Sequence, residues 1–390
     1  MPNPGFWSLT SDPIRLGAVG LGRGFALTAR AFAAHDGIEL VAAATRSAAS
    51  RAAFAQTFGG TAYASYADLL ADGRVEMVYV ATPHGLHRDH VCAALEAGKD
   101  VVVEKPIAIA TSDAEDMIET AERLDRRLLV GPSHSYDPPV TLAVKIIASG
   151  RLGAPKMLHG LNATDFLFRP RRPEELRTAD GGGAVFSQAI HQIDVAMRLL
   201  GQPVSVFATT GRWDAERPTE GAYSAIVTFE NGATASLTFS GYGFFDSDRL
   251  MDNISELGVA KTRDTTGAAR RALAQVPDEA TQKKTRAFLG LDTLPNPTRH
   301  EHFGPTLVFC ERGDIQLTPD GVILHTQGGS ERFDTPFKFS RQGFAGALVD
   351  ALRGGPPPIQ DGRWGLAALR ACHAMLASAD RAAPVSLKET

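Results

Sequence analysis

Five short apolar runs alternate with helical stretches through the first third of the chain, and that alternation constrains the fold more than any other feature. Residues 14–19, 40–44, 77–80, 101–103 and 128–130 have strand length and apolar, partly β-branched content. The intervening segments at 26–34, 48–58, 86–97 and 112–126 carry helical spacing, and Ser112 followed by Glu115 reads as a capping box. Strands separated by helices pair in parallel, because a parallel neighbour is reached only through a crossover. Residues 12–137 are therefore expected to form a Rossmann-type, doubly wound parallel sheet.

Beyond Pro138 the pattern changes. A helix over 140–149 precedes a strand near 157–161 and an Arg- and Pro-rich loop at 168–177, and Gly181-Gly182-Gly183 opens a helix that runs to Leu200. Asn231-Gly232 between two alternating runs is the strongest short-range hairpin signal, and Asp320-Gly321 marks a second hairpin. Residues 138–361 thus read as a second α/β domain with a largely antiparallel sheet. Within it, residues 255–300 form a polar, irregular insertion with some helix, a type of segment that usually serves as a lid or interface arm or is disordered. A final helix at 362–380 is expected to pack back on the first domain.

Composition removes several classes of function. A net charge of −4 gives no basis for capturing nucleic acid or an anionic membrane. Cys92, Cys310 and Cys372 are scattered without metal-ligand spacing, and the start of the chain lacks a basic stretch followed by an apolar core. A cytoplasmic location is expected. No apolar run approaches the roughly 20 residues needed to cross a bilayer. His84, His87 and His90 recur at a spacing of three, but no further ligand is evident, so no metal is expected.

The crevice at the carboxyl ends of parallel strands is where ligands gather in such folds. Gly20-Leu21-Gly22-Arg23-Gly24-Phe25 lies there, between the first strand and its helix. Glycines let the backbone approach a pyrophosphate, and the helix start offers free N–H groups. The third fingerprint position is Phe25, with Gly24 one residue earlier as the substitute. At the end of the second strand, Thr45-Arg46-Ser47 offers no carboxylate for ribose hydroxyls, while Arg46 can pair with a 2′-phosphate. NADP(H) is favoured, with NAD(H) as the alternative.

Hydride transfer at a carbinol carbon also requires moving the hydroxyl proton, which a positioned amine or imidazole can do. Lys105 ends the apolar strand within Glu104-Lys105-Pro106, and His191 follows the glycine run, with Asp194 three residues on. These motifs, together with Gly20-Leu21-Gly22, Ala81-Thr82-Pro83 and His87, resemble the glucose–fructose oxidoreductase, inositol dehydrogenase and rhizopine catabolism (Gfo/Idh/MocA) family over nearly the whole chain. The resemblance implies an open antiparallel sheet in the second domain, a homodimer or homotetramer built through it, Lys105 and His191 as the catalytic pair, and Thr82, Pro83 and His87 near the cofactor. One departure is chemical: Ser187 stands where the family places an aspartate, and a serine is no carboxylate base.

Residues 130–137, 165–176, 218–224 and 302–304 are similar to the 4,5-dihydroxyphthalate dehydrogenase branch of that family. That branch oxidises a cis-dihydrodiol of phthalate to the catechol. An anionic small-molecule substrate follows, with Arg169, Arg172 and Arg177 as carboxylate forks and with Asp165, Ser187 and His134 as further substrate contacts. The same arginines can instead pair with Glu174 and Glu175 on a solvated loop. Sugar or inositol dehydrogenases, and a glycoside hydrolase or lyase that recycles its cofactor, stay open as alternatives.

Overall fold

The computed structural model describes residues 12–389 apart from 262–265, 285–286 and 295. Its first sheet is assembled by strict alternation of strand and helix: β1 (Ile14–Val19), α1 (Arg23–Ala34), β2 (Ile38–Ala44), α2 (Ala48–Phe58), β3 (Thr61–Tyr63), α3 (Tyr66–Ala71), β4 (Met77–Val80), α4 (His87–Glu96), β5 (Asp100–Val103), α5 (Thr111–Arg123) and β6 (Leu128–Val130). The strand order is β3-β2-β1-β4-β5-β6, and every pair is parallel. Helices cover both faces, which is why Val101, Val102 and Val103 are all fully buried rather than alternating. The edge strand β3 and helix α3 were not expected: Thr61-Ala62-Tyr63 is too short to carry a periodic signal. The Ser112 capping box does not form. Helix α5 starts one residue earlier, at Thr111, with Ala110 in the capping position and no side-chain cap. Ser112 therefore lies inside the first turn, where Asp113 supplies the negative charge a helix start favours.

The second half is built on α6 (Pro138–Ala148), β7 (Pro155–Ala163), α7 (Ile190–Leu200), β8 (Pro203–Gly211), β9 (Ala222–Phe229), β10 (Thr234–Ser240), α8 (Ala268–Leu273), α9 (Glu279–Lys284), β11 (Thr306–Cys310), β12 (Gly313–Thr318), β13 (Gly321–Thr326), β14 (Gly329–Asp334), α10 (Gln342–Leu352), α11 (Gly362–Arg381) and β15 (Val385–Ser386). Nine strands pair in the order β14-β13-β12-β11-β7-β10-β9-β8-β15, antiparallel except for β7 with β10. Both expected hairpins are present, β9–β10 around Asn231-Gly232 and β12–β13 around Asp320-Gly321, with Gly232 at φ +79°. Strand β7 shows how one face is covered: Leu158, Gly160 and Asn162 point inward, while Met157, His159 and Leu161 stand exposed. The run after Gly183 does not enter an α-helix directly; residues Val185–Ala189 form a wide π turn before α7.

Helix α11 lies in the seam between the sheets. Arg363 and Arg370 pair with Glu122 and Glu115 of α5, while Ser378 Oγ accepts the backbone N–H of Ala208 in β8 at 2.9 Å. It serves both halves of the molecule, not the first alone. Among the described residues, no helix is long and apolar enough to cross a membrane, and no group of three or more His, Cys, Asp or Glu side chains is placed to hold a metal ion.

Candidate active site

Parallel register brings the loops that matter to one edge. Val19 pairs with Val80 and Val80 with Val103, so Gly20, Ala81 and Glu104 leave the sheet side by side. Gly20 has φ +87°, and a Cβ there would lie 2.7 Å from Ala81 O; only glycine makes that turn. Above Gly22 the space is open: the nearest atom to a Cβ placed there would be Ala81 O, at 4.0 Å. Helix α1 begins at the next residue with no side-chain cap and no acidic residue in its first turn. Uncapped N–H groups beside an open glycine are a cradle for a phosphate anion. They border a cleft of about 740 Å³ that also takes in Arg23, Thr82 and Pro83, so the residues present fit a dinucleotide.

The remaining positions of the glycine motif serve other ends. The Leu21 and Phe25 side chains are buried in the core, Phe25 against Phe54, Phe58 and Tyr79, which leaves only their backbone for a cofactor. Gly24 gives close approach to Glu104, whose Oε1 would stand 2.9 Å from a Cβ there. His87 is fully buried and does not border the cleft; its ring lies 3.0 Å from Thr82 O and 3.1 Å from both Pro106 O and Ile107 O, pinning two strand-end loops together. At the end of β2, Ser47 spends its hydroxyl capping α2, accepting from Ser50 N at 3.2 Å. Thr45 and the exposed Arg46 are joined there by Arg51, which donates to both of their carbonyls.

Deeper in, the cleft shares Arg23, Leu27, Glu104, Lys105 and Arg341 with a second cavity of about 210 Å³. Lys105 from the first domain and His191 from the second both line it. Loss of solvation in the crevice lowers the Lys105 pKa, an effect Glu104 opposes and Arg341 reinforces. The same desolvation, with Lys105, His134 and Arg341 adding positive charge, drives His191 well below the usual imidazole range. Both groups are therefore biased toward their neutral forms. The His191 ring packs on Phe303 at 4.9 Å, and its Nδ1 is buried without a hydrogen-bond partner among the described residues.

His134 lies edge-on to His191 at 4.9 Å and bonds Asp137 through Nδ1 at 2.7 Å. Burial lifts the Asp137 carboxyl to about 6, against the opposing pull of His134. Arg169 reaches the cavity and is held by Glu256 at 3.4 Å, itself fixed by Asn162 at 2.9 Å. Arg172 borders the dinucleotide cleft and not this cavity. Arg177 is outside both, paired with Asp180 on the surface. Asp165 accepts the Ala269 N–H at 2.9 Å, and the Ser187 hydroxyl donates back to Gly183 O within its own turn; neither borders the cavity. Asp194 does not face His191: it takes Ser135 N, Ser135 Oγ and Trp364 Nε1 at 2.8–2.9 Å.

Four charged groups escaped the sequence reading. Arg341 caps α10 in a left-handed conformation (φ +60°), meets Glu301 at 3.3 Å and donates to Thr28 of α1. Glu256 arrives from the insertion, Glu301 from the segment just after it, and Asp137 from the turn before α6. Of these, only Asp137 falls in a stretch that carries the family resemblance, residues 130–137.

Comparison with known proteins agrees with this fold. A family model described as an oxidoreductase family with an NAD-binding Rossmann fold matches residues 14–132, and the C-terminal domain model of the same family matches residues 140–250. The chain is 40% identical over 375 residues to the 1-carboxy-3-chloro-3,4-dihydroxycyclohexa-1,5-diene dehydrogenase of Comamonas testosteroni, covering 93% of this chain and 94% of that protein. A crystal structure from Bordetella bronchiseptica RB50 superposes with a TM-score of 0.92 at 38% identity, over 96% of this chain and all of that one. An Agrobacterium radiobacter oxidoreductase solved with NAD+, L-tartaric acid and magnesium has the same fold, with a TM-score of 0.74 at 18% identity over 96% of this chain and 99% of that one.

Proposed function

The chain belongs to the Gfo/Idh/MocA family of NAD(P)-dependent oxidoreductases, and on that premise we propose that it oxidises an anionic, cyclic cis-dihydrodiol to a catechol, with NADP+ preferred over NAD+. One observation carries the reading: Lys105 and His191, from different domains, line one cavity that opens into the dinucleotide cleft and also holds Arg169. The bound nicotinamide would accept the hydride from the carbinol carbon. The protein's part is the proton and the pose. Lys105, biased toward the free amine, takes the hydroxyl proton. His191, kept neutral, holds the same oxygen by a hydrogen bond. The hydroxyketone formed enolises to the catechol, and the gain of aromaticity draws the reaction forward.

Arg169 is the proposed carboxylate partner, because a guanidinium fork bonds a carboxylate bidentately. The relative in Comamonas is named for a carboxylated dihydroxycyclohexadiene, which supports a substrate of this class. Two arginines and no carboxylate in residues 45–51 support the 2′-phosphate preference. Assembly into a homodimer or homotetramer is proposed through the uncovered sheet face, where Met157, Leu161, Phe207 and Ile226 are exposed. The deciding experiment follows nicotinamide absorbance with both cofactors against carboxylated cis-dihydrodiols, inositols and aldoses. Turnover of the dihydrodiols alone is expected. Faster turnover of a polyol or sugar replaces the substrate assignment, and cleavage of a glycoside without net absorbance change replaces the reaction.

A further inference from the structure

The insertion is fastened to both halves of the molecule, and the dinucleotide cleft lies between the fastenings. On one side Glu279, the first residue of α9, receives Arg217 bidentately at 2.9 and 3.0 Å and the Arg171 N–H at 2.8 Å. Arg217 is only 4% exposed, so this is an anchored pair and not a surface contact. On the other side Phe288 is 2% exposed, with ring centroids 5.3 Å from Phe25 and 5.7 Å from Phe58 on the first domain. Arg30 of α1 adds hydrogen bonds to Leu291 O and Leu294 O at 2.5 and 3.2 Å. Between these points Ala280, Lys283 and Ala287 line the same cleft as Gly20 and Gly22.

The charge in that wall is lopsided. Lys283 pairs with Glu175, and Arg172 lies 3.2 Å from Glu174 and 3.6 Å from Glu175. Arg171 stands behind them, stacked 3.6 Å above the Phe166 ring centroid. Arg172 and Lys283 thus share two neighbouring carboxylates, and Arg171, which donates to Phe166 O instead, adds a third half-buried cation. Burial, aided by the adjacent arginines and opposed by Glu175, brings Lys283 down to about 8; burial and the neighbouring arginines bring Arg171 down to about 9. Across the cleft, α1 presents uncapped N–H groups with no acidic residue in its first turn.

We propose that Lys283 and Arg172 form a second phosphate site, opposite the glycine turn, that closes on the diphosphate of the dinucleotide. The insertion is then a strap: it binds the cofactor from above, and one of its fastenings must loosen for the cofactor to leave. This rests on the redox reading, since it needs a dinucleotide in the cleft, but it concerns which residues hold that ligand and not which reaction follows. The diphosphate, and not the 2′-phosphate, is the group assigned, because Lys283 borders the glycine turn's cleft while residues 45–51 do not.

Affinities of the full-length protein for NAD+, NADP+ and ADP-ribose, measured by calorimetry, test the site directly. Lys283→Gln should weaken all three about tenfold to a hundredfold, as expected for loss of one charge-assisted bond, and should flatten the salt dependence. Lys283→Arg should restore most of the affinity, which separates a lost charge from a damaged fold. Hydrogen exchange of 279–284 should slow when NADP+ is added to the wild type, and much less in Lys283→Gln. Unchanged affinities in Lys283→Gln would overturn the proposal, as would a loss confined to NADP+, which would place Lys283 at the 2′-phosphate. If the wild type bound none of the three ligands, the redox reading itself would fall.

Discussion

The two ends of the crevice handle charge in opposite ways. At the catalytic end three cations have a carboxylate close by: Lys105 beside Glu104, Arg341 with Glu301, Arg169 with Glu256. At the nucleotide end Arg172 and Lys283 share Glu174 and Glu175, with Arg171 as a third cation behind them, opposite an uncapped helix start. Local neutrality suits a place where a proton must move between weakly basic groups, because an uncompensated neighbour would fix the proton on one side. A surplus suits a place that waits for an anion to arrive. The catalytic end is arranged for reaction, the nucleotide end for capture.

Mutation should affect the two ends in separable ways. Lys105→Met removes the proton acceptor and should lower kcat about 10²- to 10⁴-fold, with the NADP+ Kd held within about threefold in titrations. Arg169→Gln should raise KM for a carboxylated dihydrodiol roughly tenfold to a hundredfold in steady-state assays, with kcat little changed if it acts mainly in uniform binding. A fall in kcat with KM constant would move Arg169 from binding to chemistry. The pH dependence is the third test. Lys283 loses its charge as pH rises through about 8, a value lowered by burial and by Arg171 and Arg172 and raised by Glu175, so NADP+ affinity should drop about tenfold between pH 7 and 9. A bound phosphate favours the charged amine, so the affinity is fully present below that range, and the step should vanish in Lys283→Gln. Smallest of all, Arg51→Ala should shift the NADP+ to NAD+ preference a few-fold, read as the ratio of kcat/KM values.

How much of this was legible in the sequence follows from where each residue's position is decided. Gly20 and Lys105 were readable because a strand end fixes them locally, and parallel register then brings the strand ends together. Leu21 and Phe25 belong to the same motif yet feed the core, since a turn signal says where the chain bends and not which side chains face the ligand. Arg169 and Arg177 share one Arg-rich loop, but short 3₁₀ turns aim one into the cavity and the other into solvent. His87 was readable as a family residue near the cofactor, and its three carbonyl contacts give it a fastening role instead. Arg341, Glu256, Glu301 and Lys283 had no local pattern at all. Their places are set by tertiary packing of α10, the insertion and the segment just after it, which no window of neighbouring residues encodes.

Helix α11 carries a consequence for biogenesis. At its beginning, Gly362 and Gly365 let it lie against Leu128, Val130 and Ile107 of the first domain, and further along it backs β8. These apolar surfaces leave the ribosome early, whereas their cover follows more than a hundred residues after β8. Until residues 362–381 emerge, the nascent polypeptide holds two sticky half-sites with nothing to join them. Docking waits on that segment, and the interval before it is when a chaperone has most to shield.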